Sequence, residues 1–353
     1  MNSKGDYFLN IFTEEYPSLE SYFRSVILFG KNSASYKFAL AKSLLDLSES
    51  HNKDTFIPLD DLSIPFSKYI CEHLKINDKQ TTSSSSRFLN VCRDFNNGTI
   101  SHDDLILSTK KLGFENVLDA FHNLNQQSIP VSFFEVKKDG RNKGITLTDD
   151  IFHLIQSTQH QNFNHEVEAR WRLVETAWSL NISPSLLNVY FDDDSKMFFI
   201  NEDNNLKRID VTSSRDALNG YQKGKCFYCF NDISVDMGSE ALADVDHFLP
   251  FILQKELSNY LNGVWNLVLS CKECNRGKEG KFAKIPEFRY LERLHKRNEF
   301  FIESHHPLNE TLKNQTGKTL AARISFLNKT YNDCLSLSGN IKWQPLYEHE
   351  PAF

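Results

Sequence analysis

The chain has 353 residues, of which 40% are hydrophobic and 24% charged, and its formal net charge is −6 at pH 7. This length is enough for two or three domains with a substantial buried core, and the composition is ordinary for a globular protein. The mean hydropathy of −0.45 and the lack of any run of about 18 apolar residues argue against a membrane span. Because the amino terminus has no basic region followed by a long apolar stretch, we expect no secretory signal and a cytoplasmic location.

The first half of the chain has the apolar periodicity of helices. Ser33 is placed to cap a helix that continues to about Leu45. Further helical patterns cover 60–76, 86–95, 103–124, 149–157 and 165–180. In the last of these, Trp171 and Trp178 share one face, which predicts packing into a core.

Two short motifs suggest ligand sites but lack residues that those sites need. Gly30-Lys31 resembles part of a phosphate-binding loop, yet the first glycine is missing and no Ser or Thr follows the lysine. The acidic run 192–194 suggests calcium, but the glycine and terminal glutamate of a calcium loop are absent. We therefore interpret the first as the start of a helix and the second as a hairpin turn.

The periodicity changes near residue 188, where short strands are predicted with turns at 192–195 and 202–205. Ser214 is placed to cap a short helix that ends before Gly224. Two amphipathic helices are predicted near the end of the chain, over 287–303 and about 309–335. We place one domain over 1–185 and a second over 186–353.

Four of the seven cysteines form two C-x-x-C pairs, Cys226 with Cys229 and Cys271 with Cys274. An odd cysteine count without an export signal fits a reducing compartment and a metal site better than disulfides. Two such turns supply four thiolates for one tetrahedral zinc ion, and with four thiolates no position stays open for water. The pattern predicts a structural zinc site; a pair of redox dithiols is the alternative.

Polar residues suited to catalysis lie inside and beside the loop that these cysteines close. Asp246 and His247 stand in DVDHFLP, Asn266 in WNLVLSC, and Asn275 directly after the last cysteine. Carboxylate and amide oxygens suit a hard cation such as Mg²⁺, and a neutral imidazole suits removal of a proton from water near pH 7. The order predicted is strand, strand, helix.

Residues 226–281 resemble the HNH, or ββα-metal, endonucleases, in particular the branch with a four-cysteine zinc site. DVDHFLP and CNRGK are also similar to the HNH domain of RNA-guided CRISPR effectors, although the guide-binding parts have no counterpart here. The resemblance implies an α+β fold, in which a mostly helical amino-terminal domain precedes a ββα-metal nuclease domain with structural zinc and carboxy-terminal helices. The last histidine of the family name is Asn275 in this chain.

The resemblance also implies a role for each residue. His247 would activate the attacking water, and Asn266 would orient His247 through its side-chain carbonyl. Asp246 and Asn275 would hold one catalytic Mg²⁺ or Mn²⁺, with Asp244 as a weaker candidate near the metal. The basic residues implied as phosphate contacts are Arg276, Lys278 and Lys281, in a segment, 271–300, with nine basic and five acidic residues.

The function expected from this resemblance is metal-dependent hydrolysis of DNA phosphodiester bonds, which leaves a 5′ phosphate and a 3′ hydroxyl. Restriction or antiphage defence is the implied biology, with a partner protein as regulator and a homo-oligomer where both strands are cut. The alternative is a zinc module that binds nucleic acid or protein without catalysis. The motif does not distinguish DNA from RNA as substrate.

Overall fold

The computed structural model describes residues 17–29, 33–51, 56–83, 85–124, 127–140, 142–201 and 208–353. The chain divides into two compact units, Met1–Asn181 and Ile182–Phe353. Helices combine with small, mostly antiparallel sheets, so the α+β prediction is confirmed. In the described part of the chain, no helix is long and apolar enough to cross a membrane. Gly30-Lys31 and the predicted turn at 202–205 lie outside the described residues.

The first unit is built mainly from helices. These are α1 (Leu19–Phe29), α2 (Tyr36–Ser50), α3 (Leu59–Ile76), α4 (Arg87–Asn96), α5 (His102–Leu112), α6 (Val117–Ala120), α7 (Asp149–Ile155) and α8 (His160–Ser179). Its strands are β1 (Phe56–Pro58), β2 (Asn123–Leu124), β3 (Gln127–Ser128), β4 (Phe134–Asp139) and β5 (Asn142–Leu147). β5 pairs antiparallel with β1 on one side and with β4 on the other, a sheet that was not predicted.

Two predictions for this unit are wrong. The helix predicted over 103–124 is interrupted, because α5 ends at Leu112 and Asn116 has a φ of 75°, in the left-handed region that ends a helix. The predicted cap at Ser33 is also displaced. The residue that precedes α2 is Ser35, whereas the Ser33 carbonyl accepts hydrogen bonds from Thr81 and Thr82.

Trp171 and Trp178 are buried in the core of the first unit, as predicted. His73 stacks on Trp171 with ring centroids 3.5 Å apart, and its Nδ1 lies 2.8 Å from Glu175 Oε2. Its Nε2 lies 3.2 Å from Glu168 Oε2. Burial lowers the pKa of His73, but the two carboxylates outweigh burial and hold the pKa above its usual value.

The second unit alternates short strands and helices. Its helices are α9 (Ser214–Gln222), α10 (Lys272–Arg276), α11 (Phe288–Glu303), α12 (Asn309–Thr316) and α13 (Leu320–Leu337). Its strands are β6 (Tyr190–Asp192), β7 (Met197–Asn201), β8 (Arg208–Ser213), β9 (Asp244–His247), β10 (Leu267–Ser270), β11 (Ile285–Pro286) and β12 (Lys342–Trp343). Short 3₁₀ turns cover Pro184–Leu186, Phe251–Glu256 and Val264–Asn266.

The predicted strands near 188–212 form an antiparallel sheet in the order β6-β7-β8, and the acidic run begins the turn between β6 and β7. The single helix predicted over 309–335 is wrong, because Gly317, with a φ of 127°, separates α12 from α13. The cap of α9 is Ser213 rather than Ser214, since the Ser213 hydroxyl accepts from the Asp216 amide.

Helix α11 fastens the segments that carry the predicted site. Arg297, which is buried, donates to the carbonyl of Leu267 at 2.8 Å and to that of Trp265 at 3.0 Å, where β10 begins. One turn earlier, Arg293 donates to the carbonyl of Phe227 at 2.6 Å, between the first two cysteines. The two guanidinium groups therefore hold the first cysteine pair and β10 against one helix.

Candidate metal centre and active site

Four cysteines form one compact cluster. The Sγ atoms of Cys226, Cys229, Cys271 and Cys274 all lie within 4.8 Å of one another, and all four residues are buried. The Cys229 and Cys271 sulfurs are 3.7 Å apart. Thiolates at about 2.3 Å from a tetrahedral zinc ion would be separated by about 3.8 Å, so the cluster has the size of a zinc site. Among the described residues, no other group of His, Cys, Asp and Glu has such an arrangement.

The backbone fixes this cluster to the neighbouring strands. The Phe227 amide donates to the Leu269 carbonyl at 2.8 Å, which ties the first cysteine turn to β10. Helix α10 begins directly after Cys271, whose sulfur accepts from the Cys274 amide at 3.4 Å. Because four sulfurs complete a tetrahedron, this centre can brace the fold but leaves no position for a reacting water.

Strands β9 and β10 are antiparallel, and α10 follows them, so the described order is strand, strand, helix. His247 pairs with Leu267 and Asp246 with Val268. Alternation along β9 places Asp244 and Asp246 on one face and His247 on the other. The sequence elements that carry the predicted catalytic residues are therefore adjacent in space.

The imidazole of His247 is half-buried and held on two sides. Its Nε2 lies 2.7 Å from Asn262 Oδ1, and the Phe251 ring stacks on it at 5.3 Å between centroids. Burial lowers the pKa of His247 below its usual value, against the opposing effects of Asn262 and Asp193. A neutral imidazole that donates Nε2–H to this amide carries its lone pair on Nδ1, where it can accept a proton.

Asn266 does not contact the imidazole, contrary to the predicted role. Its fully buried side chain donates to the carbonyls of Leu249 and Leu261, both at 2.8 Å, and accepts from the Leu249 amide at 2.8 Å. These bonds close the loop between β9 and β10. The loop contains both Phe251 and Asn262, so Asn266 holds the partners of His247 rather than His247 itself.

Asp246 is buried with both carboxylate oxygens engaged. Tyr228 donates its hydroxyl hydrogen to Oδ2 at 2.7 Å, and Lys281 Nζ lies 3.2 Å from Oδ1. Burial raises the pKa of Asp246, while Lys281 and Tyr228 oppose that shift. Asp246 is thus the centre of a buried network that begins inside the first cysteine pair.

Lys281 was predicted to contact phosphate, and the structure corrects this. The side chain is buried, and Nζ also donates to the carbonyls of His247 at 3.0 Å and Phe282 at 3.2 Å. The turn that precedes Lys281 depends on a close approach of the backbone to itself, since a Cβ on Gly280 would lie 2.8 Å from the Gly277 carbonyl oxygen. Lys281 is therefore an internal cation and not a surface contact.

Asn275 lies against Asp244, with Nδ2 and Oδ2 3.1 Å apart. The ligand atoms on one edge of an octahedral Mg²⁺ site lie about 2.9 Å apart, and rotation of the amide exchanges its oxygen and nitrogen. The pair therefore has the spacing of two adjacent Mg²⁺ ligands. Asp246 lies on the same face of β9 as Asp244.

The other two predicted phosphate contacts are exposed. Arg276 pairs with Asp244, with Nε 2.9 Å from Oδ2, and its side chain remains 60% exposed. Lys278, two residues after Arg276, is also exposed. Both can therefore reach a ligand outside the protein surface, in contrast to Lys281.

Sequence reasoning missed two residues that the structure places in the site, Asn262 and Tyr228. Tyr228 stands inside CFYC, where only the cysteines have a recognisable spacing. Asn262 precedes the WN motif by a few residues, and no spacing rule connects it to His247. Asn262 reaches His247 because the loop between β9 and β10 folds back, whereas Tyr228 reaches Asp246 from the first cysteine turn.

Comparisons of this chain with protein-family models, with curated proteins and with solved structures found no match.

Proposed function

We propose that this chain is a metal-dependent endonuclease of the HNH type that hydrolyses DNA phosphodiester bonds. The observation that carries the proposal is the position of His247. Its half-buried imidazole, with a lowered pKa, ends a strand whose other face presents Asp244 and Asp246, while Asn275 on the adjoining helix lies against Asp244.

His247 is the general base of the proposed reaction. Because burial lowers its pKa, the imidazole is neutral at pH 7 and can take a proton from water at Nδ1. Asn262 fixes the ring through Nε2, and Phe251 limits its rotation by stacking. Asn266 acts indirectly, because it closes the loop that carries Asn262 and Phe251.

Asp246 and Asn275 would hold the divalent cation, as the HNH resemblance implies, and the contact of Asn275 with Asp244 adds Asp244 as a third oxygen donor. Mg²⁺ or Mn²⁺ at this face would neutralise charge that develops on the phosphate. Lys281 lies against Asp246 and keeps this buried carboxylate paired. Arg276 and Lys278, which are exposed, would contact the flanking phosphates.

The four-cysteine cluster serves as the brace in this proposal. A zinc ion there would fix the first cysteine turn and the start of α10 relative to β10. Tyr228, between two of the cysteines, extends that support to Asp246. Loss of zinc would therefore disturb the catalytic strand as well as the fold.

Restriction or antiphage defence, control by a partner protein and assembly into a homo-oligomer rest on the resemblance alone and form the biological part of the proposal. A second candidate is a zinc module without catalysis. Two contacts favour that candidate, because a carboxylate with both oxygens engaged is not an open ligand: Asp246 is paired with Lys281 and Tyr228, and both oxygens of Asp244 accept from Arg276.

Incubation of the purified protein with supercoiled plasmid separates the two candidates. Cleavage that requires Mg²⁺ or Mn²⁺, stops with a chelator and leaves 5′ phosphate ends supports the nuclease. Binding of DNA without cleavage under any divalent cation supports the zinc module. Parallel assays with RNA of matched length establish which nucleic acid is cut.

A further inference from the structure

Phe282 has a backbone conformation that is costly for an aromatic residue. Its φ is 49°, in the left-handed region, where a side chain other than that of Gly or Asn is uncommon. Two hydrogen bonds hold it there: its amide donates to the Asn275 carbonyl at 3.0 Å, and its carbonyl accepts from Lys281 at 3.2 Å. The surrounding structure thus imposes this conformation.

Burial of the Phe282 ring does not offset the cost of this backbone conformation, since 55% of the residue is exposed. Phe230 has a similar φ of 58° but is buried, with its ring 4.9 Å from that of Phe353 and the Arg293 guanidinium 4.2 Å above it. Core packing accounts for the conformation of Phe230. It does not account for Phe282, which makes no aromatic or cation–π contact in the described part of the chain.

Phe282 is fixed to the candidate active site from two directions. Its carbonyl and that of His247 both accept hydrogen bonds from one ammonium group, that of Lys281. Its amide is bonded to Asn275, the predicted metal ligand. Backbone strain of this kind concentrates at functional sites, where the surrounding structure sustains it.

The loop that follows β9 also exposes apolar side chains beside His247. Phe251, which stacks on the imidazole, is 40% exposed, and its neighbour Ile252 is 73% exposed. The segment that leads to Phe282 exposes two cations, Arg276 and Lys278. Exposed aromatic rings next to cations form the arrangement on which nucleic-acid-binding proteins stack unpaired bases while they contact the phosphates.

We propose that Phe282, together with Phe251, stacks on a base that is unpaired or unstacked next to the cleaved phosphate. This inference rests on the proposed nuclease function and names its substrate class: nucleic acid with locally opened structure, such as a single strand, a bubble or a mismatch. A nucleotide has a flat base for either ring and a phosphate for Arg276 or Lys278.

Binding is measured in the His247→Ala background, so that no cleavage occurs, with fluorescent DNA that is either fully paired or carries a central bubble. Phe282→Asn removes the ring but keeps a residue that tolerates the left-handed region. Phe282→Tyr keeps the flat ring. Tyr347→Ala is the control for loss of an exposed aromatic ring, because Tyr347 is 82% exposed.

We expect Phe282→Asn to lose about tenfold in affinity for bubble DNA and little for the paired duplex, since stacking on one base contributes this much. Phe282→Tyr and Tyr347→Ala retain the affinity of the parent. The melting temperature of Phe282→Asn stays level or rises, because the substitution relieves strain. A structural role for the ring would instead lower the melting temperature.

Two binding results would overturn the inference. One is an unchanged affinity of Phe282→Asn for bubble DNA. The other is an equal loss on bubble and paired DNA. If the wild-type chain neither binds nor cleaves any nucleic acid, the proposed function fails together with this inference. Cleavage by Phe282→Asn with wild-type preference for bubble DNA would refute only the inference.

Discussion

Replacement of Asn266 by alanine tests how the loop between β9 and β10 supports His247. The substitution leaves three buried backbone groups without their partners: the carbonyls of Leu249 and Leu261 and the amide of Leu249. Each unsatisfied buried group costs about 1–3 kcal/mol, and partial relaxation of the loop recovers some of this cost. We expect Asn266→Ala to lower the free energy of unfolding by about 3–5 kcal/mol.

The assay is urea unfolding with zinc kept saturating, followed by tryptophan fluorescence, to which Trp265, buried within this loop, contributes as one of four tryptophans. Asn266→Asp is the informative companion, because it keeps the acceptor for the Leu249 amide and loses both donors. We expect its stability to lie below that of the wild type. Asn262→Ala is the matched control: Asn262 is half-buried and is bonded to His247, so its loss should reduce cleavage with little effect on unfolding.

A stability of Asn266→Ala within about 1 kcal/mol of the wild type would refute this reasoning, because a buried amide with three partners cannot be removed at so small a cost. Wild-type cleavage by Asn262→Ala would show that the hydrogen bond to Nε2 does not position the base.

Three further predictions concern the zinc cluster, the buried lysine and the first unit. Cys226→Ser should lose bound zinc and stability together, as metal analysis and thermal unfolding would show; a stable, active protein without zinc would contradict the structural role. Lys281→Met should lower stability by about 3–5 kcal/mol because it leaves Asp246 unpaired in the interior, whereas Lys278→Ala should weaken DNA binding without a change in melting temperature. If Lys281→Met instead weakened DNA binding without a change in stability, Lys281 would be a phosphate contact after all. The raised pKa of His73 contributes stability that is complete below pH 6.5 and is lost as the pH rises through the folded value. His73→Gln should therefore flatten the decline in stability above pH 6.5, and an unchanged pH profile would contradict the ionised network.

Apolar periodicity predicted most helices within a residue or two at their amino-terminal ends, including α3, α4 and α11. It did not predict the breaks at Asn116 and Gly317, because a helix can tolerate either residue type and only the backbone shows a positive φ. The sheet of β1, β4 and β5 was missed for a different reason. β4 reads FEVKKD and buries only Phe134, so its sequence lacks the alternation that marks a half-buried strand.

The cysteine spacing was sufficient to predict that the four thiols form one cluster of the size of a zinc site, since two C-x-x-C turns have few other uses in a chain of this kind. The sequence could not decide which asparagine faces His247, because that depends on how the loop folds back over β9. The burial of Lys281 was hidden for a similar reason. Lysines in a basic segment are normally exposed. Lys281 is buried because the turn at 277–280, which depends on glycine, brings it into the interior next to β9.

Cleavage of supercoiled plasmid in Mg²⁺ by the wild type and by His247→Ala, at equal zinc content and equal melting temperature, decides whether His247 is the general base of a nuclease. We expect the substitution to lower the cleavage rate by about 100-fold or more, as for loss of a general base, while DNA binding persists. Cleavage by His247→Ala at the wild-type rate would refute this role of His247.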